Sequence, residues 1–211
     1  MRLRPMTNAK SLCGALLCVC LTLASISIAG SHKAQSSITI NFDEPDASQG
    51  RLIANDYLAK YGITISESTN GTLVAIVNAS QMYQGRALIA TSPPNVLTQV
   101  NSNDPVSFTL NFPKQFRLVR FSRPALTAGV TGVTFPEWRA QALDAKGGIL
   151  DEVGEPLGAG PRYYSNIPAR TFTLKGPGIK AVRFNSKNYH FAGFSAVVID
   201  DLTLISDGVA P

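Results

Sequence analysis

The chain has 211 residues, 45% of them hydrophobic and 16% charged, with a formal net charge of +5. Its three cysteines, Cys13, Cys18 and Cys20, sit together in one N-terminal apolar run, and its two histidines are His32 and His190. Zinc sites built on histidine pairs or on cysteine clusters are therefore excluded from the rest of the chain.

The opening MRLRPMTNAKSLCGALLCVCLTLASISIAG sets Arg2, Arg4 and Lys10 ahead of an apolar run from Leu12 to Ile28, which ends in the small-residue pattern Ser27-Ile28-Ala29. This reads as a secretory signal peptide over residues 1–29, with a second cut available at Ala34. An uncleaved anchor is the competing reading, since the run approaches the roughly 17–25 residues that span a bilayer. Cleavage removes every cysteine, and with them disulfides, thiolate ligands and cysteine nucleophiles. It also takes three of the 19 basic residues, leaving 16 against 14 acids, a balance that gives nucleic-acid binding no support. No later stretch is apolar enough to span a membrane. About 180 residues remain, enough for one domain with a sizeable core.

From Gln35 onward, short runs of Val, Ile, Thr and Phe alternate with Gly, Pro, Asn and Asp, the pattern of an all-β domain over residues 36–206. Expected strands are SITINF (37–42), YGITIS (61–66), TLVAIVN (72–78), VSFTLNF (106–112), FRLVRFS (116–122), EWRAQALDA (137–145), RTFTLKG (170–176), IKAVRFN (179–185) and SAVVIDDLTLI (195–205). Val106, Phe108, Leu110 and Phe112 share one strand face, and Phe172 and Leu174 alternate with threonines, so these strands bury one side. LIANDYLAKY (52–61) predicts one helical turn at most. Lys175-Gly176-Pro177-Gly178 predicts a tight turn between neighbouring strands, and Asp144 to Gly148 a hairpin turn before ILDEVGE. Nine or ten such strands make a two-sheet β-sandwich of jelly-roll type. Residues 207–211 read as a frayed tail.

The last strand poses a problem of charge. Asp200 falls on one face with Val198, Leu202 and Leu204, and Asp201 on the other with Ile199, Thr203 and Ile205, so one carboxylate is expected to point inward. A buried, unpartnered carboxylate costs several kcal/mol, about 3–5 when it loses a partner. Asp43, Glu44 and Asp46 follow the first strand directly, and in a jelly roll the first and last strands commonly lie side by side. Two readings compete: convergence on a structural calcium, which takes six to eight oxygens, or strand-end charges facing solvent or pairing with Arg51, Arg183 or Arg120.

The succession INFDE (40–44), YLAKYGITIS (57–66), ALIATSPPNVL (87–97), PVSFTLNFPKQFRLVRFS (105–122), AQALDAKGGIL (140–150), IKAVRFN (179–185) and VVIDDLTL (197–204) resembles a broad group of exported bacterial domains with the galactose-binding-like jelly-roll fold. Many of these precede a PEP-CTERM-type sorting tail, which this chain does not show before Pro211. In related carbohydrate-binding modules, acids of the first and last strands hold a structural calcium. The resemblance therefore implies Asp43 or Glu44 with Asp200 or Asp201 as metal ligands. It fixes architecture better than activity.

A Ser-His-Asp hydrolase finds little here: His190 lies in the loop-like NSKNYHFAGFS, and no G-x-S-x-G elbow accompanies it. A glycosidase needs two opposed carboxylates, for which Glu137, Asp144, Asp151, Glu152 and Glu155 are candidates that sequence alone cannot place. The acids of DEVGE otherwise serve to keep a sheet edge soluble. Aromatic rings are frequent in loop-like text, at Tyr83, Trp138, Tyr163, Tyr164, Tyr189 and Phe191, and flat rings with polar edges suit sugar faces. Trp138 alternates within a strand and reads equally as core. Tyr164, Asn166, Tyr189 and His190 are the expected ligand contacts. The sequence thus favours a secreted, monomeric, non-catalytic carbohydrate-binding module for a glycan or cell-envelope polysaccharide. A structural or adhesive surface protein without a small ligand, and a polysaccharide-cleaving enzyme, are the alternatives.

Overall fold

The computed structural model describes residues 36–50, 52–66, 73–81, 88–99, 106–126, 137–156, 168–186 and 197–206. In chain order these form β1 (Ser36–Ile40), β2 (Leu52–Ile53), α1 (Ala54–Leu58) with a 3₁₀ turn (Ala59–Tyr61), β3 (Thr64–Ser66), β4 (Val74–Asn78), β5 (Leu88–Ile89), β6 (Asn95–Gln99), β7 (Val106–Arg123), β8 (Ala125–Leu126), β9 (Trp138–Leu143), β10 (Ile149–Glu155), β11 (Arg170–Ser186) and β12 (Val198–Ser206). The helical stretch is longer than the one turn expected. Ala54, Tyr57 and Leu58 recur at helical spacing and are all buried, so packing holds the segment. Gly62 ends it with φ 68°, where a Cβ would come within 3.0 Å of Pro113.

One antiparallel ladder runs in the order β10-β9-β11-β7-β12-β6-β4-β2, with β1 on β12 and β3 on β7, while β5 and β8 pair separately. Two expectations are corrected here. VSFTLNF and FRLVRFS form a single strand of 18 residues, and RTFTLKG and IKAVRFN a single strand of 17. The Lys175–Gly178 segment is accordingly a bend within β11, not a turn between partners. Across it, Lys175 pairs with Leu118, Ile179 with Phe116 and Ala181 with Asn111, so each long strand carries extra residues at the same place. Matched bulges of this kind turn a strand pair from one layer into another.

The ladder, open at β10 and β2, therefore folds over as a two-sheet β-sandwich. One layer holds β10, β9, the second half of β11, the first half of β7, and β3. The other holds the first half of β11, the second half of β7, β12 and β1. Phe121 of the second layer meets Phe184 and Trp138 of the first at ring-centroid distances of 5.3 and 6.0 Å. Trp138 is only 3% exposed, which settles it as core.

The predicted hairpin is present: β9 and β10 pair antiparallel, and the Asp144 carboxylate accepts the amides of Lys146 and Gly148 at 2.7 and 2.8 Å. Those amides, Gly148 first, hold its carboxyl below the usual carboxylate range. Gly147 in this turn has φ 83° and open space around the missing side chain. Gly147→Ala is expected to destabilise by about 1 kcal/mol through backbone conformation alone, read as a shift in urea midpoint at constant slope.

Candidate functional site

β1 and β12 do lie side by side, with Ile40 opposite Leu202 and Ser36 opposite Ser206. Asp200 is the inward carboxylate, 0% exposed, and Asp201 is half-buried. Among the described residues the side-chain partner of Asp200 comes from outside the first strand. It is the turn Ser92-Pro93-Pro94-Asn95, which enters β6 and contains a cis Pro93–Pro94 bond. The Ser92 amide donates to Asp200 Oδ2 at 2.8 Å, and the Ser92 hydroxyl and the Asp201 amide donate to Oδ1 at 3.1 and 2.8 Å. Three donors do not offset the loss of water: burial, with the Asp201 charge adding to it, pushes Asp200 up to about 6.

The other end of the same turn holds the first strand. Asn95 donates its amide to Asp43 Oδ1 at 3.0 Å and its side-chain Nδ2 to the Phe42 and Pro45 carbonyls at 3.0 and 2.8 Å. Two acceptors on Nδ2 fix the orientation of this amide. Asn95 Oδ1 is then buried with no hydrogen-bond partner among the described residues. Glu44 points elsewhere and pairs with Lys60 at 3.3 Å, both side chains exposed, where an ion pair contributes little. Phe42 and Asp201 flank the junction with φ 65° and 50°, left-handed values uncommon for residues with a Cβ. Asp201 lies where β12 stops pairing with β6 and takes up β7 and β1, so its backbone makes the change of partner.

Among the described residues no three His, Cys, Asp or Glu side chains converge on one point. The donor set at the junction is nevertheless all oxygen: the Asp43 and Asp200 carboxylates and the orphaned Asn95 amide oxygen. Hard oxygens of this type suit calcium, and an unsatisfied buried acceptor calls for a water or an ion.

The second region is the end of the sandwich where Glu155, Trp138, Ser186 and Val106 stand in one row across β10, β9, β11 and β7. The opposite layer contributes Arg123 and Arg170, paired with each other in register. Glu155 joins the layers: Arg123 donates Nε and Nη2 to it at 2.8 and 3.0 Å, and Trp138 donates Nε1 at 2.8 Å. Arg123 and Glu155 are only 5% and 7% exposed. Glu155 is thus a buried structural acid, a correction to its expected place on a soluble edge, whereas Glu152 beside it is exposed. Asp151, another of the candidate acids, accepts the Lys175 amide at 2.8 Å. β10 and β11 end, and β9 begins, in this row; the residues that follow β10 and β11, 157–167 and 187–196, lie outside the described residues.

No protein-family profile matches the chain, and no curated protein matches it. Solved structures similar to the chain include the K1 cleaved adhesin domain of Lys-gingipain from Porphyromonas gingivalis W83, 12% identical over 82% of this chain and 99% of that one, at a TM-score of 0.48. A cyclase from Fischerella sp. TAU is 13% identical over 82% of this chain and 100% of that one, at 0.46. The CBM22-1 xylan-binding domain of Paenibacillus barcinonensis Xyn10C is 12% identical over 85% of this chain and 99% of that one, at 0.42.

Tyr164, Asn166, Tyr189 and His190 lie outside the described residues, as do Tyr83, Tyr163 and Phe191. What sequence reading missed is Ser92 and Asn95, whose tie to Asp200 and Asp43 spans over a hundred residues in the first case. The available signal was a hydroxyl and an amide bracketing two prolines, a rigid turn with polar ends.

Proposed function

We propose that this is a secreted, non-catalytic carbohydrate-binding domain, monomeric, whose ligand contacts include Tyr164, Asn166, Tyr189 and His190. The observation that carries the reading is topological. Segment 157–167 leaves from the end of β10 and segment 187–196 from the end of β11, in the same row and separated by β9 alone. Two strand spacings amount to about 10 Å, a gap that a small saccharide can bridge. Glycan-array binding by the domain freed of residues 1–29, lost in Tyr164→Ala and in Tyr189→Ala, is the expected result. Binding of wild type that neither substitution disturbs removes those residues from the site. An adhesive role without a small ligand is the second reading, and capture of an envelope polymer or protein with a blank array supports it. Release of reducing ends from polysaccharide supports an enzyme instead.

Calcium belongs to the proposal as a structural ion at the junction of β1, β12 and the 92–95 turn. Asp43, Asp200 and the Asn95 amide oxygen would hold it. Its contribution there is electrostatic, favouring the ionised form of a carboxylate whose charge burial disfavours. Among the described residues no helix is long and apolar enough to cross a membrane.

A further inference from the structure

A cleft of about 240 Å³ lies between Glu137, Trp138 and Arg139 at the start of β9 and Glu152 to Pro156 at the end of β10. We propose that this cleft, with the polar ladder continuing from it across the outer face of the sheet, is a subsite for a neutral glycan chain. The proposal rests on the glycan-binding reading and adds where further sugar units lie and which chemistry they carry.

Strand alternation builds the surface. Trp138, Ala140 and Ala142 turn into the core, leaving Arg139 and Gln141 on the outside, level with Asn185 and Arg183 of β11 and with Gly154 and Glu152 of β10. The exposed Arg139 guanidinium is held on both sides, donating Nη2 to Glu137 and Nη1 to Glu152, each at 3.2 Å. From Glu152 the hydrogen bonds continue inward along the sheet: Gln141 Nε2 to Glu152 Oε2 at 2.7 Å, Asn185 Nδ2 to Gln141 Oε1 at 3.5 Å, and Ser107 Oγ to Asn185 Oδ1 at 2.8 Å. The line crosses four adjacent strands, roughly 14 Å at sheet spacing.

Three features point to a sugar chain. Guanidinium, carboxylate and primary amides are planar groups that address adjacent hydroxyls in pairs, and their mutual hydrogen bonds hold them in place before a ligand arrives, which lowers the ordering cost of binding. The cleft falls below the roughly 300–1,000 Å³ of sites for drug-sized ligands, a size for one sugar unit rather than a large cofactor. Among the described residues Arg139 is the one cation lining the cleft, and two carboxylates already engage it. Among those residues phosphate or a uronic acid therefore meets no open positive charge.

The test is isothermal titration of the full domain with xylo-, cello-, manno- and galacto-oligosaccharides of increasing length, alongside oligogalacturonate. At least one neutral series is expected to bind, more tightly with length, and Arg139→Ala to weaken it about tenfold, the loss of one charge-assisted hydrogen bond. Gln141→Ala should erase the gain from length. Thermal melts of both variants should match wild type, because an exposed ion pair contributes little to stability. If neutral oligosaccharides bind and both variants bind like wild type while Tyr164→Ala does not, the subsite is overturned and the glycan reading stands. If no oligosaccharide binds, both fall. Preference for oligogalacturonate overturns the neutral class.

Discussion

Arg123→Ala is expected to lower the stability of the domain by about 3–5 kcal/mol, the cost of leaving a buried carboxylate without its cation. Among the described residues Glu155 has no other buried cation to turn to. Arg170 stands 3.9 Å away with a side chain 63% exposed. For a domain of this size each kcal/mol corresponds to about 2–4 °C in melting temperature. The single tryptophan, Trp138, donates to the same carboxylate, so its fluorescence reports the unfolding directly. Replacing both charges, as Arg123→Met with Glu155→Leu, should recover part of the loss, since an apolar pair of similar volume often matches a buried ion pair. Recovery stays incomplete because the Trp138 N–H then has no acceptor, at about 1–3 kcal/mol. A loss below about 1 kcal/mol in the single variant would mean that the pair is solvated, as exposed pairs are. The effect bears on function through position: this ion pair fixes the end of β10, from which segment 157–167 departs.

The sequence pattern revealed strands where one face is uniformly apolar. Phe108, Leu110 and Phe112 alternate with Ser107, Thr109 and Asn111, and the structure buries the first set as expected. It hid the continuity of β7 and β11, because Lys175-Gly176-Pro177-Gly178 has the composition of a hairpin turn. Local chemistry there specifies a change of direction, and whether the chain reverses or bends is decided by the partner strand, which carries its own extra residues at Pro113 to Gln115. β6 was hidden for the opposite reason. Asn95, Thr98 and Gln99 are polar yet at most 1% exposed, so hydropathy gives no strand signal. That one acid of β12 points inward was legible from alternation, but which one and its donors were not, since a hydrogen bond between residues 108 apart leaves no trace in local spacing. The pairing of Glu155 escaped for the same reason: a glutamate in ILDEVGE looks like any edge charge until β7 is placed across the layer.

Asp200 gives the second large expectation, a stability that depends on pH with an unusual sign. Burial raises its carboxyl from 3.8 to about 6, so between these values the folded state binds a proton that the unfolded chain has released. Stability is then highest below about pH 4 and falls as pH rises to about 6, a loss of roughly 3 kcal/mol at 1.36 kcal/mol per unit. Ordinary surface carboxylates stabilised in the fold act the other way, so the contribution is isolated by comparing wild type with Asp200→Asn, which keeps the shape and cannot ionise. In chelator, urea unfolding between pH 4 and 8 should show wild type losing stability relative to this variant as pH rises. If calcium occupies the junction as proposed, the slope reverses. A cation favours the ionised carboxylate, so the loaded protein gains stability with rising pH, and Asp200→Asn removes that gain. A wild type that follows the variant at every pH in chelator would show that Asp200 is hydrated and its junction open. Curves that coincide with and without calcium leave the Ser92–Asn95 turn as the acids' sole partner and remove the ion from the proposal.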